Sequence, residues 1–314
     1  MNLHKHPEEF NDLVTITSEY IGIPAGAVKR DYFIVMMLEK LEESKYADSC
    51  VFKGGTSLSK CYPESIARFS EDIDLTFIPQ DDLGNKKYDK TLKQIEDVMS
   101  AGFRLVKIPE ERNDRNKSSF IWFDDTDDKN GKIKLEIGSS IRPDPYEKKS
   151  LCTYIQQYLS DHGMDDAISE YGLRTVQINT LAIERTFLDK VMSVKRHAIC
   201  GNLSNKVRHI YDVTMLYRRD DIQKFLADKK TLKGLLQTTK ATDSFYLEKR
   251  GISKEYDPIG DYDFPSWKKY FDQNVKKRYE SLHEDLLFTN EKQDFQSAVS
   301  TFENIDRIFK SIGE

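Results

Sequence analysis

A chain of 314 residues with 38% apolar and 11% aromatic residues has enough apolar side chain for one large core or two modest ones. A net charge of −5 excludes a globally basic nucleic-acid binder, though not a local basic face. No apolar run reaches the roughly 18 residues of a membrane-spanning helix, and the polar start MNLHKHPEEF lacks a signal-peptide core, so a cytoplasmic protein with no membrane partner is expected. The four cysteines, Cys50, Cys61, Cys152 and Cys200, form no CxxC pair and read as free thiols of a reducing compartment.

Residues 8–21 have helical spacing, with Phe10, Leu13, Val14, Ile16 and Tyr20 on one side, until Pro24 and Gly26 break the pattern. A second helix is predicted from about Val28 to Glu43, its wide apolar face running from Tyr32 to Leu41. Cys50-Val51-Phe52 reads as a short strand ended by Gly54-Gly55. Thr56 or Ser57 is placed to cap a short helix through Tyr62. Residues 73–78 read as the next strand and 88–102 as a helix closed by Gly102. Ser118–Phe123 and Lys132–Ile137 read as strands around a turn from Asp124 to Gly131. That turn is acidic, but a calcium loop counted from Asp125 would put Lys129 and Asn130 where an acid or amide and a glycine are needed. It therefore reads as a solvated hairpin turn.

From about residue 150 the pattern becomes helical, with helices expected over 150–171, 181–197 and 205–227. Further helical stretches follow in 228–314, broken near Pro258 and Pro265. A mixed first half and a helical second half predict an α+β fold. The expected division is a mixed-sheet core over 1–148 and a helical C-terminal domain over 149–314.

The segment RFSEDIDL, residues 68–75, carries the sharpest chemistry. Residues two apart on a strand share a face, so Asp72 and Asp74 would stand side by side. Like charges in that position destabilise the pair unless a cation compensates. Magnesium, an oxygen-seeking ion that keeps part of its coordination open for phosphates, is suited to the task. The bland alternative is a pair of ordinary surface acids. Leu75, Phe77 and Ile78 speak for a buried strand instead. Ser70, two residues earlier, shares the same face on an extended chain, and a phosphate there would add negative charge beside the carboxylates.

The run Lys53-Gly54-Gly55-Thr56-Ser57 is a strand end, a glycine pair and a helix start. Glycines admit close backbone approach, and a helix N-terminus favours phosphate. A plain strand-to-helix turn would look the same. Glu136, between Leu135 and Ile137, is the expected third carboxylate, as metal ligand or base, unless it faces solvent. On the helix after residue 181, Lys190 falls on the apolar stripe of Ile183, Phe187 and Val194. Either its stem lies along apolar surface or its ammonium reaches a phosphate. Seven Lys or Arg residues lie from Lys190 to Arg219 against one acid, Asp212. This is either a solvated helical surface or an electrostatic footprint for a nucleotide or RNA backbone.

Taken together, KGGTSLSKCY (53–62), RFSEDIDL (68–75), ERTFLDK (184–190) and RHIYD (208–212) resemble the AbiEii/AbiGii toxin family of the DNA polymerase β-like nucleotidyltransferase superfamily. Val28-Lys29-Arg30-Asp31-Tyr32 resembles that family's lead-in helix, and the likeness covers about residues 28–220. It implies a nucleotidyltransferase-type mixed sheet and a Mg2+-dependent transfer from an NTP. Lys53, Gly54, Gly55, Thr56, Ser57 and Ser70 would lie at the nucleotide. Asp72 and Asp74, with Glu136, would bind magnesium. Lys190 would contact phosphates, and Asp212 would complete a cleft from the helical half. The resemblance further implies a toxin of a bacterial toxin–antitoxin or phage-defence system, a cognate antitoxin, and an RNA acceptor such as the tRNA 3′ end. A protein acceptor, and a non-catalytic module that senses nucleotide, are the alternatives.

Overall fold

The computed structural model describes residues 1–79, 84–124, 131–139, 142–250, 255–288 and 292–313, and for residues 85, 245–250 and 285 the backbone alone. The chain divides into two compact units. The first is Met1–Cys61 with Phe69–Leu181; the second is Tyr62–Arg68 with Ala182–Glu314.

The first unit is built on a seven-stranded mixed sheet. In chain order its elements are α1 (Pro7–Ile21), α2 (Ala25–Glu42), β1 (Cys50–Lys53), α3 (Gly54–Cys61), β2 (Asp72–Phe77), α4 (Asn85–Ser100), β3 (Arg104–Lys107), β4 (Asn116–Trp122), β5 (Lys132–Gly138), β6 (Tyr146–Leu151), α5 (Tyr154–Asp161), α6 (Asp165–Glu170) and β7 (Val176–Leu181). The strand order is β3-β4-β5-β2-β1-β7-β6. Neighbours are antiparallel except β2 with β5 and β1 with β7.

Local chemistry explains the helices that cover this sheet. Pro7 fills the first turn of α1 with Glu8 and Glu9 beside it, and Gly22 ends the helix in the left-handed region at φ 76°. Helix α2 buries every residue from Tyr32 to Leu38, because it packs between the sheet and α1, α4 and α5. Strand β5 alternates buried Ile133, Leu135 and Ile137 with half-buried Lys132, Lys134 and Glu136. The apolar set faces α2 and α4; the polar set occupies the other face.

Part of the first unit departs from the expectation. Residues 150–171 are not one helix: β6 ends at Leu151, and α5 and α6 are short. Strand β7 follows, so the sheet unit runs to Leu181 and the division falls there, not at 148. Strand β6 is polar, with only Leu151 buried, as an edge strand allows, and so gives no apolar alternation to read. Strand β3 is an exposed edge for the same reason. Neither Thr56 nor Ser57 caps α3, because the helix already starts at Gly54. The turn from Asp124 to Gly131 lies, for residues 125–130, outside the described residues.

The second unit is helical among its described residues: α7 (Ile183–Ile199), α8 (Val207–Tyr217), α9 (Asp220–Ala227), α10 (Lys229–Arg250), α11 (Phe264–Trp267), α12 (Gln273–Glu280), α13 (Leu282–Asp285) and α14 (Phe295–Ser311). The helix expected over 205–227 is two, divided at Arg218-Arg219. Its core includes an aromatic cluster of Tyr262, Phe264, Trp267, Phe302 and Phe309. No helix among the described residues is long and apolar enough to cross a membrane, and all four cysteines are free.

A buried ion pair fastens α2 to α3. Lys60 Nζ lies 2.6 Å from Asp31 Oδ1, and the Tyr154 backbone N–H donates to Asp31 Oδ2 at 2.8 Å. The Lys60 ammonium also sits 4.1 Å from the centre of the Tyr154 ring. Lys60→Ala is expected to lower unfolding stability by about 3–5 kcal/mol, because it strands a buried carboxylate. The double variant Asp31→Leu/Lys60→Met should lose much less. Urea unfolding of the three proteins checks this; equal losses for single and double variants would refute the pairing.

Candidate active site

The paired carboxylates and the glycine turn meet in the first unit. Asp74 lies opposite Lys53 of β1 and beside Glu136 of β5, while Asp72 lies beside Lys134. One row across the sheet is therefore Lys53, Asp74 and Glu136, and the next holds Asp72 and Lys134. All five side chains are only partly buried, between the buried Ile73, Leu75 and Leu135 of the other face.

Gly54 is bound to this row by sterics. Its φ of +87° is a left-handed conformation that side chains disfavour. A Cβ built there would overlap Asp74 Oδ2 and stand 3.0 Å from Asp74 Cγ. The glycine is needed for the close approach of Asp74 itself, where the sequence suggested the approach of a ligand. Thr56 and Ser57 are buried. Thr56 Oγ1 donates to the Asp72 carbonyl and lies 2.9 Å from Ser70 Oγ; Ser57 Oγ donates to the Gly54 carbonyl at 3.0 Å. Their hydroxyls thus hold the turn and the approach to β2. What the turn can present to an anion is backbone N–H from the first turn of α3.

The electrostatics of the row are unfavourable as it stands. Burial, and then the charges of Asp74 and Glu136, push the Asp72 carboxyl up to about 6. Glu136 is ion-paired to Lys134, whose Nζ also lies 2.7 Å from Glu111 Oε2. Among the described residues no three carboxylate, histidine or cysteine side chains are grouped to hold a metal. Asp72 and Asp74 are a carboxylate pair on one sheet face, and the Lys134 charge only partly offsets what burial and the neighbouring acids do to Asp72, which is the donor chemistry a divalent cation takes. Glu136 stands one strand away with its charge met by Lys134.

The residues expected from the helical half lie in the second unit, around a buried carboxylate. Asp212 on α8 accepts from Arg68 Nε at 2.6 Å and from Arg68 Nη2 at 2.7 Å, and Lys190 Nζ on α7 lies 2.7 Å from its Oδ2. Burial alone would raise the Asp212 carboxyl; the Arg68 and Lys190 charges override it and hold it well below the usual range. Asp212 is fully buried with both oxygens engaged. In this arrangement it fixes Lys190. Beside it, His209 Nδ1 lies 2.9 Å from Ser193 Oγ. Desolvation, with the Lys190 charge next, holds this imidazole well below its ordinary value.

Arg68, at the start of the RFSEDIDL segment, carries no local signal of its role. Its partner lies 144 positions away, and no local spacing signals such a contact. The basic segment also changes meaning. Lys195 donates to the Asp261 carbonyl at 2.6 Å, Arg196 pairs with Asp243 and Arg219 with Asp221 at 2.7 Å, while Lys206, Arg208 and Arg218 are exposed. With Lys190 on Asp212, three of the seven cations meet a carboxylate within the unit.

A family model described as nucleotidyl transferase AbiEii toxin, type IV TA system, matches residues 36–301. The chain belongs to this family of nucleotidyltransferase toxins of type IV toxin–antitoxin systems. Among solved structures, the MenT4 nucleotidyltransferase toxin of Mycobacterium tuberculosis H37Rv is similar at 18% identity and a TM-score of 0.49, over 95% of this chain and 97% of that one. JHP933 from Helicobacter pylori is similar at 17% identity and a TM-score of 0.39, over 82% and 94%. No curated protein matches the sequence.

Two outcomes are expected from these geometries. In metal-free buffer at pH 7, Asp72→Asn should be more stable than the wild type by on the order of 1–3 kcal/mol, since it removes a charge that burial and the neighbouring acids disfavour. The folded-state pKa lies above the unfolded one. The cost of the charge is therefore absent below about pH 4, grows as pH rises toward about 6, and is constant above. Urea titrations at pH 4 and pH 7 read this difference, and a variant no more stable at pH 7 would contradict it. Asp212→Ala should cost about 3–5 kcal/mol by leaving Arg68 and Lys190 buried without their carboxylate. A wild-type unfolding midpoint for that variant would remove the case for the triad.

Proposed function

We propose that this toxin transfers a nucleotidyl group from an NTP to an RNA acceptor, with tRNA the expected acceptor and Mg2+ the expected ion. Asp72 and Asp74 would hold the divalent cation, which supplies charge stabilisation to the phosphates and to the attacking oxygen. The acceptor hydroxyl oxygen bonds to the α-phosphorus, the bond from that phosphorus to the bridging oxygen breaks, and pyrophosphate leaves. Glu136 takes the hydroxyl proton, with Lys134 orienting its carboxylate. Backbone N–H groups of the Gly54–Ser57 turn, with Lys53, bind phosphate oxygens. Lys190, held by Asp212 and Arg68, contacts the nucleotide phosphates as a fixed positive charge. A cognate antitoxin partner and a cytoplasmic location accord with the type of system.

The observation that carries this reading is the side-by-side Asp72 and Asp74 on one sheet face, with Gly54 required to be small by Asp74. The test is a transfer assay with each labelled NTP, Mg2+ and total tRNA. Asp72→Ala is expected to cut incorporation at least about a hundredfold, as loss of a main electrostatic contribution does, with its circular dichroism unchanged. Full activity in that variant would overturn the site. Label entering protein and never RNA would overturn the acceptor.

A further inference from the structure

The rows of the active-site face continue beyond the carboxylates into a different chemistry. Pairing β5 with β4 and β4 with β3 sets Asp72, Lys134, Phe120 and Val106 in one row, and Lys132, Trp122 and Arg104 in the next. All point to the face that α2 and α4 leave uncovered, while Leu105, Ile121 and Ile133 point the other way. The Arg104 guanidinium lies over the Trp122 ring at 4.5 Å from its centre. Lys132 Nζ lies 4.2 Å from the Phe120 centroid and 5.0 Å from that of Trp122. Phe120 and Trp122 are half-buried, Arg104 is exposed and Val106 is 40% exposed. The Trp122 indole N–H is buried and finds no hydrogen-bond acceptor among the described residues.

We propose that this patch of Trp122, Phe120, Arg104 and Lys132 is the docking platform for the single-stranded end of the RNA acceptor. The inference rests on the proposed RNA acceptor and adds where on the molecule the strand lies. Aromatic rings interleaved with cations on an open sheet suit a chain that alternates flat bases with phosphates. Bases stack on the rings and on the guanidinium plane, and the two cations meet the backbone. Among the described residues the patch is small for a protein partner, and its cations favour a polyanion. The placement also fits. Phe120 lies two strands from Asp72, roughly 10 Å at an inter-strand spacing of about 4.8 Å. That is the reach of one or two nucleotides, so a strand stacked there brings its terminal hydroxyl to the carboxylates.

Trp122 supplies its own probe. The chain has two tryptophans, and Trp267 is 1% exposed, so quenching by a large solute reads Trp122. The full-length protein, without NTP or metal, is titrated with an unstructured single-stranded RNA oligonucleotide and with a blunt RNA duplex. The single strand is expected to quench emission and the duplex to quench far less. By fluorescence polarisation with labelled single-stranded RNA, Trp122→Ala should weaken binding about 5- to 100-fold, while Trp122→Phe keeps most of it. Arg104→Ala/Lys132→Ala, which spares the rings, should weaken binding and reduce its salt dependence by about two phosphate contacts. In the transfer assay Trp122→Ala should raise the KM for RNA and leave that for NTP unchanged. Absence of quenching, equal quenching by the duplex, or unchanged RNA affinity in Trp122→Ala each overturns the platform. If the wild type labels RNA while Trp122→Ala has the wild-type KM for RNA, the platform fails and the RNA acceptor stands. If RNA binds through Trp122 yet is never labelled, the acceptor fails and the platform stands.

Discussion

Two carboxylates held side by side on one strand repel each other, and much of the first unit is arranged around that repulsion. Strand β2 is fixed in register between β1 and β5, so Asp72 and Asp74 cannot turn apart without breaking the sheet. Burial removes the water that would otherwise screen them, and Asp72 is pushed toward its neutral form. The Lys134 charge offsets only part of this cost at Asp72. A carboxyl pushed up by burial and by neighbouring acids is of the kind found at working sites.

Other buried charges in the chain are handled in the opposite way. Asp31 has Lys60 and a backbone N–H; Asp212 has Arg68 and Lys190; Glu96 has Arg112 at 2.6 Å and the Ser119 hydroxyl. Each of these carboxylates is matched by a cation and fixes elements that are distant in sequence. The contrast separates structural charge from chemical charge. Asp212 is matched by Arg68 and Lys190, and Lys190 owes its fixed position to it.

The strongest features were legible because they are local. The alternation of β2 and β5, the helical stripes of α1, α2 and α7, and the glycine pair that opens α3 are patterns within a few residues. The edge strands β3 and β6 were not legible, since an edge facing water carries no apolar alternation. Strand β7 has little alternation either, because five of its six residues are buried. Arg68, Lys60 and the Arg104–Trp122 stack depend on partners brought together by topology, so their residue types alone said nothing of their roles. In the basic run after Lys190, counting charge along the chain cannot see that Asp243 and Asp221 meet Arg196 and Arg219 in space.

The fit of Gly54 against Asp74 ties two motifs into one unit of change. An alanine at position 54 would meet the Asp74 side chain along its length, at Oδ2, at Cγ and at Cβ 3.2 Å away. If a descendant of this protein replaced Asp74 by a small residue and kept the fold, the steric demand at 54 would fall with it, and the backbone torsion would still favour glycine. Loss of the glycine and loss of Asp74 should therefore travel together in diverged copies. A relative with a bulky residue at the first position would be marked as having abandoned the chemistry before its second motif was inspected.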